Sequence, residues 1–134
     1  MYANARRLYA DNGISTASPA RLLTMLYDRL VLDLERGETA QRSGNREQAH
    51  KEITHAQDIL AELQASLRVD VWDGAPTLLS LYVWFTKELI AANVTGDADR
   101  TATVRRLVVP LRDAWHEAAR QVAAAAPAPA LATA

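Results

Sequence analysis

Apolar side chains recur along this chain at intervals of three and four residues, in four separate runs. Leu22, Leu23, Leu26, Leu30 and Leu34 make the first, directly after Ser18-Pro19. Serine can cap a helix by accepting a backbone N–H, and proline at the first helical position loses nothing by having no N–H of its own. A helix from Ser18 to about Arg42-Ser43-Gly44 is predicted, with Gly37 as a weak spot costing about 1 kcal/mol against alanine. The second run, Ala49, Ile53, Ala56, Leu60, Leu63 and Leu67, alternates four and three, as in a helix packed within a bundle. Asn45 opens it, with Gln48 three residues on as a capping box and Glu47–Lys51 as a favourable i,i+4 pair.

After a break at residues 70–76, Leu78, Tyr82, Phe85, Leu89 and Ala92 repeat the alternation, predicting a helix from about Pro76 to Val94 that ends at Gly96-Asp97. The fourth run starts near Asp99 and reads Val104, Leu107, Leu111, Ala114, Ala118 and Val122. Pro110 falls inside it. Its ring removes the bond to the Arg106 carbonyl and clashes there, so a kink or a break is expected. Four helices of roughly 20 to 25 residues, each about 30 to 37 Å long and joined by short loops, favour antiparallel neighbours. The expected fold is all-α: an up-down four-helix bundle over 18–122, a short N-terminal lid segment over 1–17, and a disordered Ala/Pro tail over 123–134.

The third run carries more apolar surface than a core needs. Leu79, Val83, Ile90 and Val94 form a second stripe, and Leu81 and Trp84 fall on yet another side. A helix apolar nearly all round is central in its protein or covered by something else, and no helix of a four-helix bundle is central. Either the core is wide, or a groove awaits a partner helix or the chain's own N-terminal segment. Trp115 reads as core or groove wall, and Trp72, in the loop, as a cap on one end of the bundle or a contact with a partner.

At 134 residues the chain is one domain. A formal net charge of −1 and the lack of a single-sign block argue against nucleic acid, since a duplex-binding surface needs clustered cations. Arg21, Arg29, Arg36 and Arg46 alternate with Asp28, Asp33, Glu35 and Glu47, the pattern of a solvated helix face. With no cysteine, disulfides and thiolate metal sites are excluded, which suits a cytoplasmic address. The N-terminus lacks the apolar core of a secretory signal, and no apolar stretch approaches the ~20 residues that span a bilayer, so no membrane insertion is expected.

Candidate chemistry is sparse. His50 and His55, five apart on one helix, point to different sides, and His116 stands alone on the last. A histidine phosphotransfer bundle is also four-helical, but none of the three has the Lys and Gly that usually follow such a histidine. Carboxylate pairs such as Asp28 with Asp33, or Asp58 with Glu62, lack the Glu-x-x-His partners of a di-iron bundle. No phosphate loop, nucleophile elbow or zinc spacing is present. The residues argue for no enzyme, no cofactor and no metal.

The ordered set Tyr9, Thr16-Ala-Ser-Pro19, Leu22-Leu-Thr-Met-Leu-Tyr-Asp28, Ala56-Gln-Asp-Ile-Leu-Ala-Glu-Leu63 with Leu67, Leu81-Tyr82, Leu89 with Ala92-Asn93, and Leu111-Arg-Asp-Ala-Trp115 resembles the flagellar export chaperone family FliS. The resemblance covers about residues 1 to 120. It implies a cytoplasmic bundle that binds the disordered C-terminal segment of flagellin, prevents its premature polymerisation and presents it to components of the export gate. It further implies that the N-terminal segment lies over part of the client surface when no client is bound. On that basis Tyr9 and Ile14 are assigned to the lid, and Tyr27, Gln57, Leu60, Leu81, Trp84 and Asn93 to the client grooves.

The chain departs from the family at three places: Val71-Trp-Asp-Gly-Ala-Pro76 replaces a loop that usually carries a Gly-Gly pair, Pro110 interrupts the last helix, and Arg6-Arg7 make the lid basic. Competing readings are another secretion chaperone or adaptor on the same bundle, a phosphotransfer module using His50 or His55, and a bundle that self-associates. A homodimer would equally cover an empty groove.

Overall fold

The Ser18 Oγ accepts the amide of Arg21 at 3.2 Å, and Pro19 follows as the first helical residue, so the first helix begins where the cap and proline dictate. The structure, a computed structural model, describes residues 17–125. Four helices follow one another: α1 (Pro19–Arg42), α2 (Arg46–Ser66), α3 (Ala75–Thr95) and α4 (Ala98–Ala125). Asn45 caps α2 by accepting the Gln48 amide at 3.1 Å, but the box is only half made, because the Gln48 side chain turns forward to Glu52. Gly96, at φ 71°, takes the left-handed turn that ends α3, and Asp97 Oδ1 at once accepts the amides of Asp99 and Arg100 at the start of α4. The expected tail and lid assignments at 1–16 and 126–134 lie outside the described residues, and α4 stays helical to Ala125, past the expected boundary at 122.

The architecture is an antiparallel up-down four-helix bundle in which α1 packs against α2 and α4, and α3 closes the ring against the same two. Leu26, Leu30, Leu34, Ile53, Leu60, Leu63, Tyr82, Phe85, Leu89, Val104 and Val108 belong to one continuous core. Toward the loop end of this core the phenols of Tyr27 and Tyr82 meet at 2.5 Å, joining α1 to α3.

Gly37, a weak spot in sequence terms, has a packing role. It is buried where α1 crosses α2, and a Cβ there would stand 2.9 Å from Ile53 Cγ1 and 3.7 Å from Glu52 Cβ. Gly37→Leu should therefore cost about 1–3 kcal/mol, the scale of overpacking, despite leucine's better helix propensity. Urea unfolding checks this; a variant as stable as the parent would show that the two helices part freely.

Three expectations need correcting. The inward register of α4 is not Val104-Leu107-Leu111-Ala114 with Val122: Leu107 is 45% and Val122 68% exposed, Ala114 is exposed, and Thr101, Ala102, Val104 and Val108 are buried instead. Both registers contain Val104 and Leu111, and the choice falls to the one that carries the Trp115 ring inward onto Tyr27, 6.4 Å away. Of the two outcomes expected at Pro110, kink or break, the break does not occur: α4 is helical on both sides of it, and the residue is exposed, so the lost backbone bond lies toward water. The charged faces of α1 and α2 are not wholly solvated either. Asp33 is completely buried, Glu52 and Glu62 nearly so, and Glu62 Oε1 has no hydrogen-bond partner among the described residues.

Candidate partner-binding site

Ser66 ends α2, and Leu67 to Gly74 then cross the end of the bundle to reach α3. The start of α1 and the second half of α4 lie at the same end, because antiparallel packing returns them there. The four helices and the loop converge without closing. They leave a cleft of ≈ 240 Å³, with buried Leu63, Leu78 and Tyr82 beneath it and Leu23, Leu67, Val71, Trp72 and Trp115 around it. Trp72, 51% exposed, stands edge-on to Trp115 at 6.3 Å, and its ring lies so close over Gly74 that a Cβ there would come within 2.5 Å of it. Trp72 thus does cover one end of the bundle, while half its indole stays open to solvent.

A second apolar surface runs along the outside of α3. Val83, Trp84, Ile90 and Val94 are 37%, 39%, 48% and 72% exposed, and Trp84 rests edge-on against buried Phe85 at 5.9 Å. Two half-wet indoles and a row of β-branched residues on a small bundle form the kind of surface that marks a binding face.

The opposite end of the bundle is polar. Gln41 of α1 donates to the Ala92 carbonyl of α3 at 3.0 Å and accepts from Thr101 of α4 at 2.7 Å, tying three helices together. Arg105 and Arg42 both bond Glu38, at 2.8 and 3.1 Å, and Arg42 also reaches Asp99. Burial alone would raise the Glu38 carboxyl, but the bonds from Arg105 and Arg42 outweigh it and hold it below its ordinary 4.5. A depressed carboxyl contributes stability that is fully present above its unfolded value and is lost as pH falls through the folded value. Glu38→Gln should accordingly be less stable than the parent at pH 7, with the difference vanishing on the acid side of pH 4.5. Thermal melts across that range test it, and a gap that persists at low pH would assign Glu38 a packing role instead.

The histidines are all engaged. His50 Nδ1 meets Asn93 Nδ2 of α3 at 2.9 Å, His55 bonds the buried Asp33 of α1, and His116 Nε2 bonds Asp28 of α1 at 2.6 Å. His50 and His55 do face different neighbours, as their spacing requires. Burial pushes the Asp33 carboxyl up, against the pull of His55 and Arg29. Among the described residues no three metal-ligating side chains gather, and no helix is long and apolar enough to cross a membrane.

The residues singled out from the sequence do not form one site. Tyr9 and Ile14 lie outside the described residues. Tyr27 and Leu60 are core, with no exposed surface, because both stand on the inward stripe of their helices. Gln57 is half-buried on the flank of α2 that carries His50 and Gln64 toward α3, seven residues to either side. Leu81 packs part-buried against the core, Trp84 sits on the outer face of α3, and Asn93 lies at the polar end beside His50. The cleft itself is built largely from other residues: Leu23 and Leu67, which belong to the apolar runs expected to face inward, and Val71 of the loop. The available signal was Leu67-Arg-Val-Asp-Val-Trp72, four apolar residues within a loop.

The family model described as flagellar protein FliS matches residues 1–122. The flagellar secretion chaperone FliS of Bacillus subtilis (strain 168) is 27% identical over 115 residues, covering 86% of each chain. Its namesake from Escherichia coli (strain K12) is 28% identical over 124 residues, covering 87% of this chain and 91% of that one. A crystal structure of a flagellar chaperone from bacteria superimposes with a TM-score of 0.70 over 87% of this chain and 96% of its own, at 20% identity, which speaks to the fold.

Proposed function

Since this chain belongs to the FliS family of flagellar proteins, we propose that it acts in the cytoplasm as a secretion chaperone whose client is the disordered C-terminal segment of flagellin, held back from polymerising until components of the export gate accept it. Its work in this reading is binding, with no bond made or broken. The observation that carries the proposal is the pair of open apolar surfaces, the loop-end cleft around Trp72 and Trp115 and the outer face of α3 with Val83, Trp84, Ile90 and Val94. A disordered client gives up conformational entropy when it binds, so it must gain long apolar contact in exchange. Two such surfaces on different sides of one small bundle offer that contact to a segment that wraps, where one pocket of this size would not. Leu81, Gln57 and Asn93 are assigned further contacts along the path of a client that wraps the bundle. Tyr27 and Leu60 would act from beneath, by holding the bundle's shape.

The N-terminal segment is assigned the role of a lid, with Tyr9 and Ile14 as its apolar anchors. It enters the bundle at Ser18, at the same end as the cleft. Calorimetric titration of the full chain with the C-terminal segment of flagellin from the same organism tests the proposal. Saturable one-to-one binding with a negative heat-capacity change is expected, as apolar burial requires. A flat titration with a monodisperse, helical protein would discard this client.

A further inference from the structure

We propose that the second half of α4, residues 111–125, is a hinged flap that sets the width of the loop-end cleft, with Pro110 as its hinge and the Asp28–His116 pair as its latch. This rests on the reading of the cleft as a client site.

Three observations meet here. The two halves of α4 are held unequally: all four of its buried residues, Thr101, Ala102, Val104 and Val108, precede Pro110, and none follows it. The side-chain ties from α1 are divided in the same way. Thr101–Gln41, Asp99–Arg42 and Arg105–Glu38 hold the first half, whereas beyond the proline the ties are His116 Nε2 donating to Asp28 Oδ1 at 2.6 Å and, beside it, the Trp115 indole bonded to the Tyr27 phenol. Between the halves Pro110 deletes one backbone bond, leaving the helix easiest to bend at that point.

The flap carries one wall of the cleft. Trp115 stands between Tyr27 of α1 and Trp72 of the loop, at 6.4 and 6.3 Å. Its neighbour in sequence is His116, and the neighbour of Tyr27 is Asp28, so latch and wall are adjacent on both helices. Closing the pair seats the indole against Tyr27 and narrows the cleft; opening it swings the indole out with the flap and admits a bulkier segment. The pair is half exposed, at 29% and 48%, which keeps it weak enough to open in ordinary fluctuations. Asp28 and His116 are positioning residues in this account, acting on the client only through Trp115.

Amide hydrogen exchange on the full chain, without client, tests the device directly. Asp28→Ala and His116→Ala should each speed exchange within 111–125 by roughly two- to five-fold, the scale of an exposed ion pair. Exchange in α1, α2, α3 and residues 98–108 should stay as in the parent. His116→Gln, whose amide can still donate to Asp28, should restore most of the protection, and Pro110→Ala should slow exchange in the flap below the parental rate. Unchanged flap exchange in Asp28→Ala, or a rise spread evenly over all four helices, would overturn the proposal. Because this readout needs no flagellin, a failed titration would leave it intact. If the client does bind, it should protect residues 111–125 in the parent.

Discussion

Leu60→Asp is expected to unfold the bundle. Leu60 has no exposed surface and lies in the continuous core with Leu34, Phe85 and Val108. Removing a buried leucine side chain costs about 2–5 kcal/mol through lost transfer and the cavity left behind. An unpaired carboxylate put in its place adds several kcal/mol more, or takes up a proton at a comparable cost. A domain of this size has about 5–15 kcal/mol to lose, so the sum removes most or all of it. Far-UV circular dichroism and urea titration should show a chain with little cooperative transition. Trp84→Asp, on the outer face of α3 where the side chain is 39% exposed, should keep its helical signal. If Leu60→Asp instead stays helical and loses only client binding, then Leu60 is a groove residue and the core described above opens readily.

The second large effect is on binding. Trp72→Ala should weaken association with the flagellin segment about 30-fold or more, the loss typical of an aromatic anchor of roughly 2 kcal/mol or above. Trp72 supplies a wall of the cleft, keeps half of its indole exposed, and packs edge-on to Trp115 and over Gly74. Truncating it therefore removes contact area offered to a partner while taking little from the core, and the melting temperature should move by only a few degrees. Calorimetry on parent and variant separates the outcomes. Equal affinities would shift the binding surface from the loop end to the face of α3, and a variant that fails to fold would make Trp72 part of the core.

The sequence shows where helices start and stop because those signals are local. Ser18-Pro19, Asn45 and Gly96-Asp97 each satisfy or end backbone bonding within a few residues, and each stands where its chemistry predicts. The inward stripes of α1, α2 and α3 were equally legible, since on each of them a single spacing of large apolar residues dominates. On α4 two spacings were available. Only the neighbouring helices could choose between them, through the fit of Trp115 on Tyr27.

The candidate site was harder to read for the same reason. Tyr27 and Leu60 look the same in sequence whether they face a groove or a core; the difference is which other helices stand over them. The cleft joins Leu23, Leu67, Trp72 and Trp115, residues from two helices and a loop separated by up to 92 positions, a junction no periodicity records. Gly37 carries the same lesson in a single residue: its cost to the helix is local and visible, while its use, the close approach of Ile53, exists only once α2 has packed. Composition, capping and period decided that this chain is four antiparallel helices with apolar surface to spare. Which of that surface stays uncovered was decided by tertiary packing, because burial belongs to pairs of helices and cannot be read from one alone.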